Sequence, residues 1–250
     1  MEQLLHQILR VCAFMIESGG EISRVEEGLS RMTAAYGAEE CHVYATTAQV
    51  SVTVVKAGKV RTQMCRPHRV SLDLDRLDRA NALVRRICAE TPRADEIAHE
   101  LDALRARRPY PVLITAPTTG VIAAAFAVFF GARTLAEPLV ALVLGTALGF
   151  LSRALSRAKT NRMLNSFLLS FLASLFSFLA VRAGLVPTAD FIIIGYIMNL
   201  IPGVGFTSAL RDLFVGDLFT GMSRILEALL LAASIALGFV LTMLLFGGVA

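Results

Sequence analysis

The distribution of charge along the chain constrains its fold more than any other feature. Residues 1–109 hold 16 of the 24 Lys and Arg and 15 of the 20 Asp and Glu, whereas residues 110–250 hold only 8 and 5. A stretch of about 140 residues that carries so few charges and is otherwise apolar has the composition of a lipid-embedded bundle. The first 109 residues read instead as an ordinary soluble domain. The net charge of +4 is spread over both parts with no block of like charges, so a nucleic-acid-binding footprint is absent. The expected architecture is a membrane all-α bundle of about five transmembrane helices, residues 110–250, behind an N-terminal cytosolic α+β domain, residues 1–109.

A helix of about 20 apolar residues crosses a 30 Å hydrocarbon core. Four segments meet that length, at 110–130, 135–151, 164–181 and 225–246. A fifth, 189–206, runs into Pro202-Gly203-Val204-Gly205, where proline removes a backbone donor and glycine loosens the helix. It is expected to cross nonetheless. Arg105, Arg107 and Arg108 precede the first span, and Arg153, Arg157, Lys159 and Arg162 separate the second and third. The alternate loops carry Arg133 and Arg182, each near an acid, Glu137 and Asp190. The positive-inside rule then places the N-terminus in the cytosol and the C-terminus outside the inner membrane. The small residues Ala141, Gly145, Ala147 and Gly149 suit close packing of the second span, and Gly145 and Gly149 form a GxxxG.

In the soluble part, Leu4, Leu5, Ile8, Leu9, Cys12, Met15 and Ile16 share one helical face, and Gly19-Gly20 ends that helix. The opening residues, with Glu2, His6 and Arg10 among them, do not form the single apolar run of a signal peptide. A second helix follows, with Ile22, Val25, Leu29, Met32 and Tyr36 in phase, and Gly37 stops it. Over residues 41–55 the period becomes two, with Val50, Val52 and Val54 alternating with Ser51 and Thr53. Lys56-Ala57-Gly58-Lys59 reads as a turn and 60–66 as a return strand. Pro67 breaks the chain. A third helix starts near Asp73, with Leu74, Leu77, Asn81, Val84 and Ile87 as its buried face, and a short helix covers 94–104. Cys12, Cys41, Cys65 and Cys88 form no C-x-x-C pair and read as small reduced core residues. The four histidines show no ligand spacing, and phosphate-loop and dinucleotide motifs are missing. No metal, cofactor or enzyme activity is expected.

The chemistry is expected in residues 199–227, NLIPGVGFTSALRDLFVGDLFTGMSRILE. Ionisable residues in or beside a span are costly and face a cavity or one another. Broken helices expose backbone groups that bind polar solutes. A solute site would take Asn199, Pro202, Gly203, Gly205, Thr207 and Ser208, with Arg211 attracting a carboxylate. Asp212, Asp217, Arg224 and Glu227 would serve proton coupling or gating. Asp217 and Arg224 would share a helical face, and Arg224 and Glu227 would pair at three residues' separation. The plainer alternative is an interfacial loop of ordinary polar residues, with Gly216 and Gly221 as packing positions. A second cluster, Glu17, Glu21, Arg24 and Glu26, reads either as a surface helix–turn–helix or as a cytosolic vestibule.

These two stretches carry a resemblance to the threonine/serine exporter family. E-S-G-x-E-x-x-R-V-E is matched at 17–26, D-L-x-R-L-x-x-x-N at 73–81, and a P-G…R-D-x-x-x-G-D-x-x-x-G-x-x-R element from Pro202 to Arg224. The anchors span nearly the whole chain in the family's order and resemble its YjjP-type N-terminal half. The resemblance implies secondary export of small hydrophilic metabolites, threonine and serine or a dicarboxylate such as succinate, from the bacterial cytosol. It also implies a YjjB-like membrane subunit as partner, supplying the second half. The alternative is a non-transporting assembly or regulatory subunit whose soluble domain senses a ligand. A membrane-anchored enzyme ranks third.

Overall fold

The computed structural model describes residues 2–68, 72–107, 109–158 and 160–246. Arg108 and Lys159, two of the basic residues weighed for orientation, lie outside the described residues. The chain divides into two compact units, Met1–Arg108 and Pro109–Ala250.

The first unit is α+β. Helix α1 (Glu2–Glu17) carries the apolar face read from its spacing and more. From Val11 to Ile16 every residue is buried, so α1 runs through the centre of the unit rather than along its surface. The helix ends in a Schellman turn: Gly19 has φ +88°, its N–H reaches Ile16 O, and the Gly20 N–H reaches Met15 O. Helix α2 (Ile22–Ala35) buries Ile22, Val25, Leu29 and Met32, the face that its period predicts, and Gly37 closes it. Three antiparallel strands follow, β1 (Glu40–Ala45), β2 (Val50–Lys56) and β3 (Lys59–Cys65), in the order β1-β2-β3. Val50, Val52 and Val54 point into the core. Lys56 pairs with Lys59 across Ala57 and Gly58, both at positive φ, the geometry of a two-residue hairpin turn.

Helix α3 (Leu74–Glu90) is capped by Asp73, whose carboxylate accepts from the Arg76 N–H at 3.1 Å. Its buried face differs from the one expected. Ala80, Leu83, Val84 and Ile87 face the core, Leu74 is exposed and Asn81 is half-buried. Val84 and Ile87 are common to both readings, and Leu77 packs half-buried against the core as expected. Asp73→Ala is expected to cost about 1 kcal/mol locally, read as faster amide exchange over the first turn of α3. Helix α4 (Ala94–Ala106) closes the unit, with Ile97 and Leu101 buried.

Among the described residues, six helices make the second unit: α5 (Val112–Phe129), α6 (Ala136–Arg157), α7 (Arg162–Arg182), α8 (Asp190–Ile197), α9 (Gly203–Val215) and α10 (Leu218–Phe246). Four, α5, α6, α7 and α10, are long and apolar enough to cross a membrane. Two expectations change. Residues 189–206 do not form one helix: α8 holds eight residues, about 12 Å, and Pro202 separates it from α9. The last span begins at Leu218 rather than at 225, because the polar turn that precedes it ends with Asp217.

The packing of this unit is inverted relative to the first. Its interior is lined by small and hydroxylic residues, among them Ala123, Ala127, Ala141, Ala173, Ser170, Ser174 and Ser177. Leu113, Val121, Val143, Phe176, Leu237 and Leu244 point outward and are exposed. Lipid tails solvate such side chains as well as a protein core does, so close backbone approach takes over as the organising force. The GxxxG of α6 serves it. A Cβ on Gly145 would lie 2.9 Å from Gly120 Cα, and one on Gly149 2.9 Å from Ala116 Cα. Those pairings make α5 and α6 antiparallel. Helices α7 and α10 run parallel, since Arg162 meets Glu227, Ser170 donates to the Ile235 carbonyl at 2.8 Å and Thr242 to that of Phe171 at 3.1 Å. Helix α8 runs antiparallel to α5, with Phe191 beside Gly131 and Gly195 against Ala123 and Ala127.

Candidate functional site

Helix α8 ends because its hydrogen-bond ladder fails. Asn199 N–H and Leu200 N–H turn to the carbonyls of Tyr196 and Ile197, three residues back. Pro202 has no N–H to offer the Met198 carbonyl, and the Gly203 N–H goes to Ile201 at 2.8 Å instead of to Asn199. Two successive carbonyls thus lose their helical donors inside an apolar unit. Non-helical backbone at membrane depth is tolerated where it is buried in protein or lines a wet cavity. Around the break, Asn199 Nδ2 reaches the Gly195 carbonyl at 3.5 Å, and Thr207 Oγ1 donates to that of Gly203 at 3.0 Å. Ser208 and Pro202 are half-buried. A Cβ on Gly203 would meet nothing within 4 Å, so the backbone there is open to contact.

The other proposed residues gather elsewhere, at the hairpin joining α9 to α10. Gly216 takes φ +100°, its N–H bonds to Leu213 O and the Asp217 N–H to Asp212 O, a second Schellman turn. It is therefore a chain-reversal residue and not a packing position. Gly221 is the packing position, meeting Leu213 and the Ala209 carbonyl. Asp217 caps α10, accepting from the Thr220 N–H at 3.2 Å. The reversal brings Asp212 to Arg224 at 3.0 Å, with side chains 7% and 14% exposed. Arg224 pairs with Asp212 rather than with Glu227, which pairs with Arg162 at 3.2 Å instead. Arg211 lies on the exposed side of α9. Eight residues of α9, about 12 Å of helix, separate Gly203 from Arg211. The structure thus divides the expected site into a backbone break and a charged hairpin.

In the first unit the residues of the other cluster act mainly as ties. Glu17 accepts from the His68 N–H at 3.0 Å and pairs with Arg105 at 3.2 Å. Arg76 and Arg105 both stack on Phe14. Glu26 accepts from the Ala45 N–H at 2.9 Å, closing the end of β1. Glu21 lies 3.5 Å from Arg24, which is exposed. The cluster sits at the junction of α1 and α2. Among the described residues, no group of three or more His, Cys, Asp or Glu is arranged to hold a metal ion. Burial, reinforced by the Glu17 carboxylate, pushes the Cys65 thiol up to about 11. Its thiolate fraction rises with pH through that value, so alkylation of Cys65 is expected to be negligible at pH 8 and still climbing about tenfold per unit at pH 10. Mass-spectrometric alkylation rates check this.

Two features escaped the sequence reading. Glu137, taken as a loop charge, is fully buried and holds three donors, the N–H groups of Arg133 and Thr134 and the Thr188 hydroxyl. An acid followed by proline at the start of an apolar run was the available signal. The serines of α7, at 166, 170, 174 and 177, recur at helical spacing and are all buried.

No curated protein and no solved structure shows a significant match to the chain. The family model described as "Putative threonine/serine exporter" (ThrE) matches residues 6–246, which takes in both units, the helix break and the charged hairpin. The chain therefore belongs to the threonine/serine exporter family.

Proposed function

We propose that this protein is a subunit of a secondary exporter that moves small hydrophilic metabolites, threonine and serine or a dicarboxylate such as succinate, out of the bacterial cytosol. The observation that carries the reading is the break at 198–203: two carbonyls without helical donors, beside open glycine backbone, inside a unit of membrane-crossing helices. Half-helix ends at such depth supply dipoles and unpaired backbone groups to polar solutes. The backbone at Gly203 and Gly205 with Asn199, Thr207 and Ser208 would contact the solute. Asp212 and Arg224 form a gate at the hairpin, and the carboxylate of Asp217, which also caps α10, serves proton coupling beside it.

The parallel run of α7 and α10 supports five crossings, because the chain must return between them and α8 with α9 is the returning segment. The N-terminal unit then lies in the cytosol and the C-terminus on the outer side of the inner membrane. A YjjB-like subunit is the proposed partner. Its seat is supported by α9, which packs chiefly on α10 and leaves Val204, Phe206, Leu210 and Phe214 exposed.

The test is efflux of threonine, serine and succinate from preloaded cells. It compares the chain alone, the chain with a YjjB-like subunit, and the partnered Asp217→Asn variant. Asparagine also caps helices, so that variant should assemble normally. Export only with the partner, lost in Asp217→Asn, is the expected result. No export of any of the three by an intact complex would favour the regulatory subunit.

A further inference from the structure

Glu137 joins two loops that are far apart in sequence. Its Oε2 accepts from Arg133 N–H at 2.6 Å and Thr134 N–H at 3.0 Å, both in the loop before α6. Its Oε1 accepts from Thr188 Oγ1 at 3.0 Å, in the loop between α7 and α8. The bonds are unequal in kind. The two backbone donors are local and cap the start of α6, so they stay in place whatever α8 does. The tie to the other loop is one hydroxyl. Thr188 directly precedes Ala189, whose carbonyl accepts the first amides of α8, from Ile192 and Ile193. The position of Thr188 therefore sets the position of α8.

Helix α8 is short and ends at the Pro202 break. It meets α5 closely through Gly195 lying against Ala123 and Ala127, and it buries Ile192, Ile193 and Tyr196 in the core of the unit, so its position is felt by the helices around it. A carboxylate buried this fully is costly unless its bonds repay the desolvation. Here two of the three bonds do so permanently and the third can open.

We propose that Glu137 and Thr188 are positioning residues forming a latch, which holds the end of the broken helix farthest from the charged hairpin and opens when α8 moves. This rests on the exporter reading for its purpose, but the latch itself is measurable without transport.

The experiment places a reporter cysteine at the buried Ala189 (Ala189→Cys) in the full chain in native membrane vesicles. Its labelling by a membrane-impermeant maleimide is followed after subtracting that of the parent protein. Losing a hydrogen bond to a charged acceptor shifts an equilibrium by about tenfold or more. Adding Thr188→Val is thus expected to speed labelling by about that factor, while Thr188→Ser, which keeps the hydroxyl, labels at the parent rate. Equal rates in all three overturn the latch. If Thr188→Val loses its monodisperse elution, Thr188→Ala is read in its place. Ala removes the same hydroxyl with less bulk, and an unchanged rate there overturns the proposal too. Faster labelling, with no flux of any solute even when the YjjB-like subunit is present, would sink the exporter reading and leave the latch. Flux with unaltered labelling would do the reverse.

Discussion

Gly120→Leu is expected to leave no folded transmembrane unit. A Cβ at this position would overlap Thr146 Oγ1 and the Leu142 carbonyl and lie 3.0 Å from Thr146 N. Two of those atoms are α6 backbone, so no rotamer change makes room. The helices must separate, which also opens the contacts of Ala116 with Gly149 and of Ala123 with Gly145. Overpacking costs about 1–3 kcal/mol where side chains can yield; here the loss should exceed about 3 kcal/mol. The measurement is the fraction of detergent-extracted protein that elutes as a monodisperse peak, together with its thermal midpoint. Val121→Ala, one residue away and exposed, is the control and should behave as the parent. A Gly120→Leu protein that folds normally would mean that α5 and α6 are not paired through this seam.

The second large effect concerns the charged hairpin. Removing one partner of a buried ion pair leaves an uncompensated charge and costs about 3–5 kcal/mol, whereas replacing both by apolar groups is often neutral. Arg224→Met and Asp212→Leu alone should each destabilise by about that amount, and the double variant should recover most of it. Thermal midpoints of the four proteins form the cycle. If the proposed gate is real, the double variant folds and yet moves no solute. Equal stability of the single and double variants would show that the two side chains do not act as a pair.

The extent to which sequence foretold this structure follows from the range of the interactions involved. The hairpin at Ala57-Gly58 and the helix stop at Gly19 depend on neighbouring residues, and both were readable. The GxxxG was readable as a pattern, though its partners, Ala116 and Gly120, were not, because nothing local names the helix that a groove receives. Asp212 and Arg224 show the same limit. They are twelve residues apart and were not paired with each other, since the chain reversal at Gly216 that joins them was not foreseen. The last span was started seven residues late, at 225, because the polar stretch through Arg224 was read apart from the apolar run; Arg224 instead has an opposite charge beside it. Glu137 was passed over for a related reason. Its hydroxyl partner lies 51 residues away, beyond any window of periodicity.

The exchange of large and small residues between interior and exterior has a consequence for how this chain is handled. Its first unit is held by a core of large apolar side chains, which urea weakens by solvating them. Its second is held by close backbone contact, interhelical hydrogen bonds and a smaller apolar core around Leu148, Leu169, Ile192 and Tyr196, and its stability depends on the amphiphile around it. Unfolding should therefore proceed in two stages that answer to different agents: chaotrope for residues 2–107, choice of detergent or lipid for 109–246. One melting temperature is then not a property of this protein, and stability comparisons between variants hold only for the unit that carries the substitution.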